Sequence, residues 1–479
     1  MFKAFRLTAA AAVTAAALIS GCSLAPDYER PSMPEGAFWS GDTAAGIPDW
    51  QKQFSSAEFS SAELSRLIDQ ALKTNRDLKL AILNVAAYEA KYRITRADLL
   101  PSLNGAAGST RSKVSDSQSN MTNIYSTQYN VGLNVGWELD FFGKIRNQKE
   151  AAVEQYLAEQ ENRKSAQMSI IAAVADAYYT LVADRNLLEI SKRTLKTEEE
   201  SSALVKQQLD SGAVSDLTYV QAQTAVDQAR INTANYERLV SIDLSSLSVL
   251  VGAEIPSDTG SSVSLLDLSL PAFPVAAPSS LLERRPDIMA AEHNLRAANA
   301  SIGAARAAFF PSISLNAGVG SISPEMNELF GTSRNGYWSI GPAITVPIFN
   351  GGRLKGSLDL AKIQKEAAVV TYQKTIRDAF KEVYDSIVSQ KAYTDQFNAA
   401  SSLRKSTERY FNLADTRYRN GVDSYLTRLD AERAFFSAQT GEIGTKLAQL
   451  INDVTLYKAL GGGWHQGDDA SAKEIRKKL

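Results

Sequence analysis

Between positions 129 and 141 the chain alternates without interruption. Every odd residue is apolar (Tyr129, Val131, Leu133, Val135, Trp137, Leu139, Phe141), and every even one is polar or glycine (Asn130, Gly132, Asn134, Gly136, Glu138, Asp140). A period of two turns one side of a ribbon to an apolar medium and the other to water. Aromatic residues stand at both ends of the apolar face, as in the girdles of outer-membrane barrels. Ile313, Leu315, Ala317 and Val319 alternate with Ser312, Ser314, Asn316 and Gly318 in the same way, and Trp338, Ile340, Ile344, Val346 and Ile348 do so less strictly. A further strand after Pro101 is rich in Gly, Ala and Ser. One alternating run alone would suit a half-buried strand of a soluble sandwich. Against that stand the strand lengths and the lack of a soluble partner for the apolar face. Four strands cannot close a barrel, for which about eight is the practical minimum. Such a chain must complete the barrel with its own copies, and three copies supply twelve strands.

The sequence is also written twice. Arg96-Ala97-Asp98-Leu99-Leu100-Pro101-Ser102-Leu103 returns about 210 positions later as Arg306-Ala307-Ala308-Phe309-Phe310-Pro311-Ser312-Ile313. The same offset pairs Asp77 with Asp287, and an offset one shorter pairs Gly212 with Gly421, Leu217 with Leu426, and Gly252 with Gly461. A tandem duplication accounts for the order. Residues 144–211 and 357–420 contain neither Gly nor Pro. At 1.5 Å per residue each predicts a helix of roughly 100 Å. Leu181, Leu188 and Leu195 repeat every seven residues, as a coiled-coil seam requires.

The expected organisation is a signal peptide (1–21), an extended, lipidated segment (22–55) and a first repeat (56–252). That repeat holds a helix, strands at about 101–113 and 125–142, a long helix 144–211 and a helix 213–252. A Pro/Ser-rich, extended connector follows (253–278). The second repeat (279–464) holds a helix, strands at about 311–323 and 336–349, a long helix 353–420 and a helix 422–460. A flexible tail (465–479) closes the chain.

A net charge of -2 gives no basis for nucleic-acid binding. His293 and His465 are the only histidines and are expected on a helix surface and in the tail; no G-x-S-x-G, P-loop or H-E-x-x-H occurs, so neither an enzyme nor a metal or organic cofactor is expected. Lys3 and Arg6 precede a short apolar run that ends in Ile19-Ser20-Gly21-Cys22. This resembles a bacterial lipobox, in which Cys22 becomes the N-terminus and carries diacylglycerol and an N-acyl chain. Each buried methylene adds about 0.8 kcal/mol to such an anchor. Beyond it, no stretch is expected to be apolar enough for a transmembrane helix.

The chain resembles the outer-membrane factor family, the TolC-like ducts of tripartite export pumps, and within it the lipidated OprM/NodT-type branch. The resemblance spans the mature chain. It is carried by Cys22-Ser23-Leu24-Ala25-Pro26-Asp27-Tyr28, Trp137-Glu138-Leu139-Asp140-Phe141-Phe142-Gly143, Arg284-Arg285-Pro286-Asp287-Ile288, the 298–312 segment and Ala459-Leu460-Gly461-Gly462-Gly463-Trp464. It implies a mainly α chain with membrane β-strands: a trimeric, twelve-stranded outer-membrane barrel continuous with a coiled-coil helical barrel in the periplasm. The partners it implies are a periplasmic adaptor and an inner-membrane RND transporter that supplies the energy for efflux of drugs or other toxic small molecules. A copper or silver duct is the alternative cargo reading, and a periplasmic adaptor lipoprotein the alternative class.

A duct needs a closure. Gly212 and Gly421 break the long helices and mark turns. Beyond Gly421, Leu426, Asp430 and Arg433 fall at i, i+4 and i+7 on one helical face. Threefold symmetry makes rings of them, and the resemblance places them at a pore constriction; an ordinary surface stripe with an Asp430–Arg433 pair is the alternative. Asp210, with Arg417 and Tyr418, is expected to latch neighbouring turns through a charge-assisted bond.

Overall fold

A computed structural model describes residues 23–31, 62–113, 125–270, 285–331 and 335–462. The signal peptide, Cys22, most of the segment to position 55, His465 and the tail lie outside the described residues. In chain order the elements are α1 (Ala62–Thr74), α2 (Arg76–Ala97), β1 (Ser102–Lys113), β2 (Tyr125–Leu139), α3 (Lys144–Asp210), α4 (Asp216–Val251), α5 (Pro286–Ala307), β3 (Ser312–Ser323), β4 (Gly336–Thr345), α6 (Arg353–Arg419) and α7 (Tyr425–Ala459). They form two compact units. Residues 1–32, 85–160 and 290–373 make a sheet-bearing unit, and residues 33–84, 161–289 and 374–479 a helical one.

In the sheet-bearing unit the four strands pair antiparallel in the order β1-β2-β3-β4. Asn104, Asn134, Gly318 and Ser339 stand in register on one face, and Leu103, Val135, Ala317 and Ile340 on the other. The polar row and the apolar row therefore keep to opposite sides across all four strands. Trp338 is 77% exposed and Ile340 64%, as an apolar face without lipid must be. Glycine is required where the strands approach most closely. A Cβ on Gly320 would lie 2.4 Å from the Val131 carbonyl oxygen, and the Tyr337 ring covers the rest of that space.

The strand β2 stops at Leu139 because Asp140 turns to cap α3. Its carboxylate accepts from the amides of Ile145 (3.1 Å) and Arg146 (2.8 Å), and from Arg146 Nε (3.2 Å). Gly143 completes the turn at φ 75°. The acid thus serves the helix N-terminus, where backbone N–H groups lack partners. Trp137 Nε1 donates to the Leu99 carbonyl (3.0 Å), and the Phe142 and Phe310 rings stack at 4.8 Å.

Residues 23–31 form a strap laid along α5. Ser23 Oγ donates to Asn147 Oδ1 (2.8 Å), Arg306 to the Leu24 carbonyl (3.1 Å), and Asn299 to the Pro26 carbonyl (2.8 Å). Glu292 accepts from Arg30 at 2.9 Å and from Arg296 at 2.7 Å, with the Arg296 guanidinium over the Tyr28 ring. The spacing fits: about 14 helical residues from Arg306 to Glu292 rise some 21 Å, as do about six extended ones. Gly303 leaves room for the strap, since a Cβ there would lie 2.8 Å from Ala25 Cβ. His293, expected on a helix surface, is instead largely buried, with Nδ1 2.6 Å from Glu154 Oε2.

The helical unit corrects three further expectations. The first helical segment is divided at Asn75, whose side chain donates to the Leu250 carbonyl (2.7 Å) and accepts from the Leu78 amide (3.0 Å). Its carboxamide thereby caps α2 and ties it to the end of α4. The connector is not simply extended. Leu265–Asp267 forms a 3-10 turn with Leu265 wholly buried, and Glu63 accepts from the Gly260 amide and the Tyr178 hydroxyl, each at 3.0 Å. Finally, α3 does contain a stretch long and apolar enough to cross a membrane, but 67% of it is buried within the chain. Val174, Tyr178, Tyr179 and Leu181 within α3 are wholly buried.

Candidate functional site

The helical unit brings two turns of the same design together. After α3, Gly212 takes φ 76°, and the Ala213 amide reaches back to the Gln208 carbonyl (2.8 Å). After α6, Gly421 takes φ 72°, and the Val422 amide reaches the Arg417 carbonyl (2.9 Å). These left-handed residues satisfy the last helical carbonyls, and glycine adopts that conformation without strain. Ser215 and Ser424 then cap the return helices through the amides of Thr218 and Thr427. That is why α4 and α7 begin at positions 216 and 425 rather than at 213 and 422.

Between the turns lies an apolar knot of Val205, Ala222, Ala225, Tyr425 and Leu429, with Tyr418 packed against it. Tyr418 Oη donates to Gln208 Oε1 (3.2 Å), and its ring meets Tyr425 edge-on at 5.5 Å. The predicted bond between Asp210 and Arg417 is not formed within the chain. Asp210 accepts from Lys206 one helical turn earlier (2.7 Å), and Arg417 grips Asp423 in its own turn at 2.6 and 2.9 Å. That grip holds the Asp423 carboxyl below the usual carboxylate range. Nearby partners require less ordering than distant ones, so each charge closes locally. Gln208, which the sequence did not single out, provides the hydrogen bond across the two turns.

Of the predicted constriction, Leu426 is 52% exposed, and Asp430 and Arg433 are exposed with it. Among the described residues neither charge makes an ion pair with the other. The opposite face of α7 is buried and holds the most concentrated charge in the unit. Arg428, 2% exposed, lies 3.0 Å from Asp415 Oδ1, 3.0 Å from Glu432 Oε2 and 3.7 Å from Glu198 Oε2. Phe411 and Tyr425 flank its guanidinium at 5.7 and 5.8 Å. Glu198 and Glu432 are 3% and 6% exposed. One cation thus serves three acids. Burial first, then the Glu198 charge, pushes the Glu432 carboxyl up to about 8, against the pull of Arg428. Arg419 shares Asp415 from outside at 2.8 Å. A cleft of about 240 Å³ adjoins this cluster, with Arg193, Glu408 and the stacked Phe411 and Phe435 among its walls. The sequence did carry a signal for the cluster, since Arg428 and Glu432 fall at i, i+4 on the face opposite the exposed stripe.

The family profile described as "Outer membrane efflux protein" matches the chain twice, over residues 67–253 and 277–462. The chain is 46% identical over 462 residues to the antibiotic efflux pump outer membrane protein ArpC of Pseudomonas putida. It is also 46% identical over 462 residues to the toluene efflux pump outer membrane protein TtgC of the same species, and each alignment covers 94% of both partners. Among solved structures, the open-state MtrE outer membrane channel of Neisseria gonorrhoeae superposes with a TM-score of 0.81 at 35% identity, covering 92% of this chain and 98% of MtrE.

A sheet that cannot close alone, joined to paired helical turns, defines one subunit of a trimeric outer-membrane channel. The chain belongs to the outer membrane efflux protein family. It is the outer-membrane duct of an efflux pump. The family is one of channels rather than enzymes.

Proposed function

We propose that three copies of this chain form a closable exit for apolar toxicants, aromatic solvents and antibiotics among them. An inner-membrane transporter of the RND class drives the cargo through a periplasmic adaptor. The cargo class is supported by the similarity to ArpC and TtgC, whose names specify antibiotic and toluene efflux. The observation that carries the closable exit is the two-faced helix α7, with Leu426, Asp430 and Arg433 exposed on one side and the Arg428 cluster buried on the other. The exposed stripe is available to form threefold rings, while the buried face holds it in position. A ring of three carboxylates favours cations. Asp430→Ala is therefore expected to move the cation-to-anion permeability ratio in planar bilayers toward one, and a wild-type ratio would remove Asp430 from the conducting path.

Closure rests on contacts between the two turns. Tyr418→Phe removes the bond to Gln208 while keeping the ring on Tyr425. A neutral hydrogen bond contributes about 1 kcal/mol, so the open population should rise about fivefold per subunit contact. Single-channel recording reads this directly, and unchanged open probability would exclude the Tyr418–Gln208 contact as the latch.

Cys22, in the same reading, carries the diacylglycerol and N-acyl anchor. The support is the strap: Ser23 is tied to Asn147, one turn after β2 passes into α3. Ser23, next to the residue that would be acylated, thus stands beside the junction of sheet and helix, where a lipid anchor would meet the membrane surface.

A further inference from the structure

The sheet places two basic residues on the membrane-facing side at a depth that can be calculated. Arg111 and Lys113 occupy odd positions of β1, opposite Thr127 and Tyr125 in the register with β2. Directly opposed residues share a face, so both cations lie on the apolar side with Tyr129, Leu133 and Trp137. Helices join the other end of the sheet, at Ser102, Leu139, Ser312 and Thr345. The end bearing Arg111 and Lys113 therefore points away from the periplasm.

The apolar band of such a barrel is about 25 Å tall, and its strands tilt by about 40°. A strand rising about 3.4 Å per residue then crosses the band in roughly ten residues. Counted from the Trp137 girdle, the hydrocarbon ends near position 127, just past Tyr129. Arg111 and Lys113 fall at and beyond that limit. They stand at headgroup level, where a basic residue on the lipid face costs almost nothing, whereas at mid-bilayer it is strongly unfavourable. Arg111 lies 5.3 Å from the Tyr125 ring centroid and Lys113 lies 6.0 Å from it, so one half-exposed aromatic ring organises both cations. Ser109 and Thr127 neighbour them on the same face, and no carboxylate occupies that face among the paired residues of the four strands. Two cations beside hydroxyls, with no carboxylate among the paired residues of that face, form a site suited to an anionic headgroup.

We propose that Arg111 and Lys113, held by Tyr125, bind the phosphate groups of the phosphorylated glycolipid of the outer leaflet, one site per subunit and three around the barrel. The guanidinium takes phosphate oxygens in fork geometry, and the ammonium adds a point charge. The site fixes the depth of the barrel from its outer rim.

The test uses the full-length mature trimer, delipidated in detergent and titrated with bisphosphorylated lipid A or with the same lipid stripped of its phosphates. Native mass spectrometry counts the lipid retained, and heat-modifiable gel migration reads trimer dissociation. Binding of the phosphorylated lipid should weaken about 30-fold in the R111Q/K113Q double variant, from the effect of two basic residues at a charged lipid surface. The R111K/K113R exchange should retain it, and the phosphate-free lipid should bind the wild type no better than it binds the double variant. In wild-type protein, rising salt should release the lipid. Equal retention of both lipids by the wild type, salt-insensitive binding, or full retention by R111Q/K113Q would each overturn the proposal. A double variant that fails to assemble leaves the wild-type comparison of the two lipids, and its salt dependence, as the deciding measurements.

Discussion

Replacing Arg428 with methionine will destabilise the helical unit by about 3–5 kcal/mol at pH 9, the usual consequence of removing one partner from a buried charge group. Methionine fills much of the same volume between Phe411 and Tyr425, so the loss reports on charge rather than on a cavity. What remains is Glu198 and Glu432, both buried, and Asp415 with Arg419 as its outer partner. The loss shrinks on acidification. Glu432 has a folded value near 8 against 4.5 for a free carboxyl. A carboxyl raised on folding contributes stability that is complete below its unfolded value and disappears as pH rises through its folded one. Wild-type protein accordingly loses this contribution between about pH 4.5 and 8, and in the Arg428→Met variant the loss continues to higher pH, because the cation that lowered the Glu432 value is gone. Thermal melting of detergent-solubilised protein, followed by circular dichroism at pH 6 and pH 9, measures both. Adding Glu432→Gln to Arg428→Met should recover part of the loss at pH 9. Equal melting of variant and wild type at pH 9, or a loss that does not shrink at pH 6, would refute this account of the cluster.

Gly320→Val will abolish the assembled barrel. The new Cβ would sit 2.4 Å from the Val131 carbonyl oxygen and 2.8 Å from Gly132 Cα, both backbone atoms of the paired strand. No rotamer change relieves a backbone clash. β2 and β3 must separate at the Gly132–Gly320 pair, at a cost on the order of 3 kcal/mol or more per subunit. Three such defects enter one closed barrel. Gly341→Val, on the edge strand β4, meets nothing within 4 Å in its own chain and serves as the control. On heat-modifiable gels of outer-membrane fractions, the Gly320 variant should yield no trimer band while the Gly341 variant keeps it. A normal trimer from Gly320→Val would show that the strands do not approach as closely as described.

Much of the fold was legible because its signals are periodic or categorical. Alternation over 129–141 expresses the two faces of a strand, and a run of 68 residues from 144 to 211 without Gly or Pro leaves helix as the economical state. Boundaries shifted wherever a single side chain captured backbone amides: Asp140 ended β2, Ser215 and Ser424 postponed the return helices, and Asn75 divided the first helical segment. Such captures act over three to six residues and leave no periodic trace.

For the candidate site, the exposed stripe could be read from helical spacing alone. The partners of the charges at the two turns could not. Asp210 and Arg417 looked suited to each other by position in the repeat, yet each closed on a neighbour in its own helix or turn. Of the Arg428 cluster, only the i, i+4 spacing of Arg428 and Glu432 could be read from the sequence. The acids come from positions 198, 415 and 432, and only the packing of α3 against α6 and α7 collects them around one guanidinium.

By itself, then, the sequence determined that this chain has four two-faced strands too few to close, two uninterrupted helices, and glycine turns at corresponding places in a duplicated plan. These follow from local periodicity and backbone freedom, which each short segment expresses alone. The tertiary structure alone decided where the strap lies on α5, which hydrogen bond crosses the two turns, and how many acids share Arg428. Those depend on residues tens to hundreds of positions apart meeting in a dry interior, where a charge takes whatever partner the packing brings within reach.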